Sequence, residues 1–375
     1  MAKPKPERPA LMPLSNVKPD NYKSLLEAKA EENAALLAPF EPPAPIVIAS
    51  QVEAYRMRAE FRMWHEGDDL YYAMFRRDAP KVPVEITHFP IASNRIQLLM
   101  GKLLDQVKAN ETLRARLFQV EFLDTLAGDT LITLIYHRRL DDAWESEANT
   151  LASYLGVSVV GRSRKQKVVL SRDYVTECLS VHGRQYEFRQ FEQAFTQPNA
   201  AVNQKMVEWA REAAEGLNGD LLELFCGNGN FTLPLAEKFD HVVATELSKV
   251  STRAANHNLQ ANEIDNVDVI RLSAAEVVEA MAGKREFRRL ASLPKPLAEF
   301  DLRTVFVDPP RAGLDDDTVA MVADFDAILY ISCNPQTLAN NLKTLHSSHR
   351  IARFAMFDQF PYTHHMECGV LLLRR

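Results

Sequence analysis

Leu221-Leu222-Glu223-Leu224-Phe225-Cys226-Gly227-Asn228-Gly229-Asn230-Phe231-Thr232 is an apolar run that stops at two glycines and resumes as TLPLA. Short, mostly apolar runs of this kind form strands buried on both faces of a parallel sheet. The glycines let the backbone turn tightly and approach a ligand, and the residues after them read as a helix. Strand, glycine loop and helix in that order open a doubly wound α/β domain, with ligands beyond the carboxyl ends of its strands. The rhythm continues downstream. HVVATEL (241–247), VDVIRL (267–272), LRTVFVD (302–308) and DAILYIS (326–332) read as further buried strands. KVSTRAANHNLQANE (249–263) and PQTLANNLKTLH (335–346) read as intervening helices, and IARFAMFDQF (351–360) with ECGVLLLRR (367–375) as a closing strand pair.

The loop narrows the ligand. A dinucleotide fingerprint needs a third glycine for close approach of a pyrophosphate, and Phe231, Thr232 and Leu233 follow Asn230 instead. Glu246, at the end of the next strand, stands where a carboxylate accepts hydrogen bonds from ribose hydroxyls. S-adenosylmethionine carries an adenosine without a phosphate and suits GNGN. The competing readings are a nicotinamide cofactor, and a tight turn with an incidental glutamate.

Three more residues sit at predicted strand edges. Asp308 opens Asp-Pro-Pro-Arg (308–311), a turn whose prolines cannot join the ladder and hold a carboxylate rigidly enough to read the edge of a planar, amide-like substrate. Cys333 follows AILYIS and precedes Asn334-Pro335 at a helix start, where unpaired N–H groups favour thiolate. A free thiol with a pKa of ~8.5 is only about 3% ionised at pH 7, a handicap of roughly 2 kcal/mol that such a site offsets in part. Glu367, at the head of a strongly apolar strand, is either paired or functional, because unpaired burial is costly. Taken alone, each has a plainer reading: a surface aspartate, a small buried thiol, a paired carboxylate. His364 and His365 are adjacent in an extended segment and lack a suitably spaced third ligand, so no metal site is expected.

Upstream, residues 1–45 read as a leader rich in Pro and Lys followed by a helix from Tyr22 to Leu37. Residues 46–190 read as an α+β domain with antiparallel strands. AYRMRAEFRMWHEGDDLYYAMFRR (54–77) forms a hairpin there, and helices cover 93–110 and 142–156. Residues 191–375 are the α/β domain. At 375 residues, 46% hydrophobic and 25% charged, the composition is that of an ordinary globular protein. No apolar stretch is long enough to span a bilayer, and the start lacks a secretory signal's apolar core. Cys178, Cys226, Cys333 and Cys368 form no CxxC pair, which fits a reducing cytoplasm. The net charge of −6 excludes a whole-protein basic field, so nucleic-acid binding needs a local patch. GRSRKQKVVLSR (161–172) offers Arg162, Arg164, Lys165, Lys167 and Arg172. A solvated basic hairpin edge is the plain alternative.

YRMRAEF, WHEGDDLYY, FPIAS, FTQPNAAVN, LLELFCGNGNF, VDPPRAGL, YISCNPQTL and FDQFPYTHHMECGVLL together resemble the bacterial tRNA (uracil-5-)-methyltransferases, a family of RNA 5-methyluridine methyltransferases. The likeness runs from about Tyr22 to the C-terminus, and the leader has no counterpart in it. It implies a Rossmann-like S-adenosylmethionine-dependent methyltransferase domain behind an N-terminal α+β RNA-binding domain. It further implies Cys333 as nucleophile, Glu367 as base, and Gln197, Phe225, Asn230, Glu246 and Asp308 as cofactor-binding residues, with Arg311 nearby. The implied reaction is methylation of uracil C5 at position 54 of the tRNA T-loop, with a T-loop-like element of transfer-messenger RNA as a second substrate. Ribosomal-RNA relatives typically carry a cysteine quartet for an iron–sulfur cluster. Here the first cysteine is Cys178, so no cluster, no metal and a cytoplasmic, monomeric tRNA enzyme are expected. A nicotinamide-dependent oxidoreductase and a non-catalytic RNA-binding protein are the rivals; neither needs Cys333.

Overall fold

The computed structural model describes residues 17–76 and 78–375, so the leader lies, through residue 16, outside the described residues. The described residues form two compact units: one holds residues 17–21 with Gln51–Thr176, the other Tyr22–Ser50 with Glu177–Arg375. The second unit begins with α1 (Tyr22–Leu37) and β1 (Ile46–Ile48).

In the first unit the described strands are β2 (Arg58–Glu66), β3 (Asp69–Arg76), β4 (Ala79–Glu85), β5 (Leu117–Leu123), β6 (Leu131–Tyr136), β7 (Ser158–Ser163) and β8 (Gln166–Val169). They make one sheet in the order β4-β3-β2-β5-β6-β7-β8, antiparallel except for the parallel β6–β7 pair. Its helices are α2 (Asn94–Ala109), α3 (Glu111–Arg114) and α4 (Asp142–Leu155), the last providing the crossover that a parallel pair requires. Alternation in β2 sends Ala59, Phe61 and Met63 into a core shared with Ile96, Leu99 and Leu103 of α2 and Trp144 and Leu151 of α4. Arg62 and Trp64 occupy the other face and stay half-buried. Gly161 of β7 permits this packing, since a Cβ there would lie 2.2 Å from the Trp144 ring.

Around Thr176 the chain passes through β9 (Tyr174–Val181), then β10 (Arg184–Phe191) and α5 (Ala200–Ala213). The α/β core follows as β11 (Asp220–Leu224), α6 (Thr232–Ala236), β12 (Val242–Thr245), α7 (Lys249–Ala261), β13 (Val267–Ile270), α8 (Ala274–Met281), β14 (Leu302–Val307), α9 (Asp316–Val322), β15 (Ala327–Ser332), α10 (Pro335–Leu345), β16 (His349–Phe357) and β17 (Glu367–Arg374). The sheet order is β1-β16-β17-β15-β14-β11-β12-β13. β11 to β15 are mutually parallel and β17 is antiparallel to both its neighbours. From β11 the order runs outward to β12 on one side and to β14 on the other, the switch point where such sheets bind ligands.

The unit limits differ from those expected at 45 and 190, for long-range reasons. β1 adds to the sheet edge by pairing with β16. Tyr22 of α1 donates to Asp358 at 2.9 Å, and Lys29 pairs with the same carboxylate. The β9–β10 hairpin rides on α7: the Arg189 and Glu187 N–H groups donate to Asn258 and Asn262, each at 2.8 Å. None of these partners is near in sequence.

Candidate active site

The carboxyl edge of the parallel strands gathers the residues singled out above. Ser332 and Cys368 are register partners across the antiparallel β15–β17 ladder, so Cys333 and Glu367 are the next opposed positions outward. Asn334 caps α10, accepting from the Gln336 N–H at 3.2 Å, and donates to the Arg311 carbonyl at 3.1 Å. That amide ties the Cys333 turn to the Asp308-Pro-Pro-Arg turn after β14.

The glycine loop is held from three sides. Phe225 leaves β11 with φ +61°. Asn230 and Asn203 of α5 exchange two amide hydrogen bonds of 2.8 and 2.9 Å. Asn258 of α7, wholly buried, donates to the Asn228 carbonyl at 2.9 Å. Gly229, at φ +89°, has no room for a side chain: a Cβ would stand 2.5 Å from Leu233. Gly227 faces open space where its Cβ would point. Glu246, after β12, accepts the Gly227 N–H at 3.1 Å and the Ser248 N–H at 2.6 Å, which fixes its carboxylate beside the loop. Gln197 is half-buried in the segment leading to α5. Two residues on, the Asn199 N–H donates to Gln359 at 3.1 Å.

Three carboxyl groups share this edge without a buried cation among them. Burial, with the nearby Asp308 charge, pushes Glu367 well above the usual carboxylate range. Desolvation lifts half-buried Asp308 to about 7. Glu223 of β11 reaches about 8 through burial and the Asp308 charge; Thr232 lies beside it and offsets part of this. Even so, neither Glu223 Oε2 nor Thr232 Oγ1 attains hydrogen-bond geometry with any partner among the described residues. In the sequence the one signal for Glu223 is an acid inside an apolar run.

The thiol behaves differently from the expectation set by its helix start. Burial first, then the Glu367 and Asp308 charges, raises Cys333 to about 11, and Arg311 only partly opposes them. One helix N-terminus is outweighed by desolvation and two carboxylates. Cys226 and Cys368 are fully packed and raised further, by burial above all.

The segment before Glu367 is anchored by α1, a role local sequence did not disclose. Lys29, itself buried, reaches the His365 carbonyl at 2.9 Å as well as Asp358. Among the described residues no group of three or more His, Cys, Asp or Glu is placed to hold a metal, and no helix is long and apolar enough to cross a membrane.

On the half-buried face of the first unit's sheet, the Phe118 and His137 rings stack at 3.8 Å, and the Arg62 guanidinium lies 3.8 Å over Phe118. A cavity of about 600 Å³ opens beside them, lined by Trp64, His65, Phe75 and Lys81.

The fold and the edge just described define an α/β methyltransferase of the S-adenosylmethionine-dependent type. Residues 21–375 match the family described as tRNA (Uracil-5-)-methyltransferase. The chain is 56% identical over 357 residues to the tRNA/tmRNA (uracil-C(5))-methyltransferase of Pseudomonas entomophila, covering 95% of this chain and 98% of that one. Its identity to the like-named protein of Acinetobacter baylyi is 52% over 354 residues, covering 94% and 98%. This chain belongs to the tRNA (uracil-5-)-methyltransferase family. Its fold is also that of the Pyrococcus abyssi tRNA (uracil-54, C5)-methyltransferase, solved in complex with S-adenosyl-L-homocysteine. That match has a TM-score of 0.72 at 20% identity and covers 100% of this chain and 88% of the other.

Proposed function

We propose that this enzyme transfers a methyl group from S-adenosylmethionine to C5 of the uridine at position 54 in the tRNA T-loop, with transfer-messenger RNA as a second substrate, in the cytoplasm. The observation that carries the reading is the β15–β17 register, which makes a thiol and a buried carboxyl group the next opposed positions beyond Ser332 and Cys368.

The loop suits an adenosine ligand. It has open space at Gly227, a Glu246 carboxylate fixed for ribose hydroxyls, and a buried, unpartnered Glu223 oxygen beneath it. Gln197, Phe225, Asn230 and Asp308 complete that site in this reading. S-adenosylmethionine supplies, when bound, an electrophilic methyl group on a positively charged sulfur. Everything else falls to the chain.

C5 of uracil is a weak nucleophile until Cys333 adds to C6, moving the ring's electron pair toward C5 and O4 as an enolate. C5 then takes the methyl group. Glu367, in its ionised form, accepts the C5 proton, the C6–S bond breaks, and Cys333 leaves as the thiolate. With Cys333 near 11, its thiolate is only about 0.01% of the total at pH 7, a handicap of about 5 kcal/mol. Burial is the first cause of that rise; the Glu367 and Asp308 charges add to it, and Arg311 opposes them in part. At a pKa of about 7, Asp308 can donate or accept at neutral pH, which suits a group reading a planar edge.

The target base has to leave its stack, at a cost of a few kcal/mol. The Arg62–Phe118–His137 column supports the first unit as the RNA-binding part, because aromatic and guanidinium planes stack on unpaired bases. Incubation with methyl-labelled S-adenosylmethionine and unmodified tRNA, followed by mapping of the labelled nucleotide, tests the reading. Label on C5 of T-loop uridine supports it, and label elsewhere or none rejects it.

A further inference from the structure

The basic stretch 161–172 separates into two groups in the folded first unit. Lys167 pairs with Asp173 at 2.7 Å and Arg172 pairs with Asp129, so both are neutralised. Arg164 and Lys165 form the exposed two-residue tip between β7 and β8, where Ser163 pairs with Gln166. Lys165 holds φ +60°, a left-handed tip position usually filled by Gly or Asn. With Arg139 of the β6–α4 connection they border a cavity of about 660 Å³. None of the three side chains has a hydrogen bond or ion pair among the described residues.

The floor of this cavity is rigid. Gln166 donates to the Leu140 carbonyl at 2.8 Å and accepts the Leu140 N–H at 2.9 Å. Arg138 spends its guanidinium on the carbonyls of Ala115, Thr112 and Arg139, with Asp141 at 4.0 Å as the acid beside it. Three uncommitted cations therefore converge on a preformed concavity, in a chain whose net charge is −6.

We infer that this pocket, which borders the stacking face at His137, is a second RNA contact that takes the sugar–phosphate backbone of the RNA substrate. The inference rests on the proposed tRNA substrate and extends it. Phosphates match the pocket better than bases do, because its free groups are point and forked cations, and of its two lining rings Tyr136 is buried in the core. Binding there releases counterions, so each cation contributes close to one unit of the log–log salt slope.

The test is tRNA affinity of the full chain against KCl concentration, for wild type, the charge-removed R139Q/R164Q/K165Q and the charge-keeping R139K/R164K/K165R. The expected result is a slope lower by about 2 to 3 in the charge-removed variant. By the same arithmetic, three contacts account for roughly 40-fold in affinity between about 50 and 200 mM salt. The charge-keeping variant should hold the wild-type slope, and S-adenosylmethionine affinity should be equal in all three. An unchanged slope in the charge-removed variant overturns the inference, as does an equal loss in both variants. So does displacement of tRNA from the wild type by polyglutamate but not by an unrelated RNA duplex, which would assign the pocket to an acidic peptide. A wild type that binds tRNA with the expected slope but methylates no uridine would reject the proposed function alone.

Discussion

Cys333 and Glu367 are opposed positions at the open end of the β15–β17 ladder, one step beyond the Ser332–Cys368 pair. A thiol and a carboxyl group, the nucleophile and base of the proposed reaction, thus meet at the ends of two antiparallel strands, with Asp308 close enough to raise the pKa of both.

Removing either group separates the two halves of the reaction. Cys333→Ala should reduce methyl transfer to background and form no covalent RNA adduct. Glu367→Gln should still add to the base and methylate it, then stall, slowing turnover about 10²–10⁴-fold. Denaturing gels with labelled tRNA report the stalled adduct; turnover by Cys333→Ala would refute the scheme.

Stability should fall with rising pH through Glu223. Its folded pKa of about 8 lies above the usual 4.5, so the folded state binds the proton more tightly than the unfolded one. That contribution is complete below the unfolded value and is lost as pH rises through the folded value. Glu223→Gln should therefore match the wild type near pH 4 and exceed it at pH 8 by an amount on the order of a few kcal/mol. Thermal melts at the two pH values check this, and an equal effect at both contradicts it.

Asn203 is tied to the loop through Asn230 by two amide bonds. Asn203→Ala removes both of these bonds from the half-buried Asn230 amide, at a cost of about 1–3 kcal/mol. We expect S-adenosylmethionine affinity to drop on the order of tenfold, with the alkylation rate of Cys333 unchanged. Calorimetry and thiol labelling measure the two separately.

Phe118→Ala should raise the KM for tRNA roughly 5- to 150-fold, the range for losing one base–aromatic stack at ~1–3 kcal/mol. S-adenosylmethionine affinity should not change. A variant with wild-type KM would remove the stacked column from the RNA-binding face.

Much of this was legible because it is local. The Tyr22–Leu37 helix has the limits expected ahead of the Pro-rich FEPPAP break, and the β2–β3 hairpin turns at Gly67 within the acidic turn read from the sequence. Glu246 was readable as a strand-ending acid beside a glycine loop. The unit limits were not, since β1 joins β16 and the β9–β10 hairpin joins α7 through contacts between distant segments. Basic residues 161–172 looked uniform in sequence, yet Asp129 and Asp173 neutralise two of them and leave the hairpin tip free.

By itself the sequence determined the kind of chemistry available: a strand–glycine-loop–helix with a following acid, a rigid Asp-Pro-Pro turn, one cysteine at a helix start and one glutamate at a strand head. Those features depend on backbone propensity and side-chain type over a few residues. Only the tertiary structure decided that the cysteine and glutamate oppose each other. Only it showed that burial and neighbouring charge keep the thiol protonated against the pull of the helix, and that Glu223 lies beneath the loop without a partner. Register, desolvation and the Coulomb energy between buried groups are set by segments tens of residues apart in sequence, and no local pattern records them.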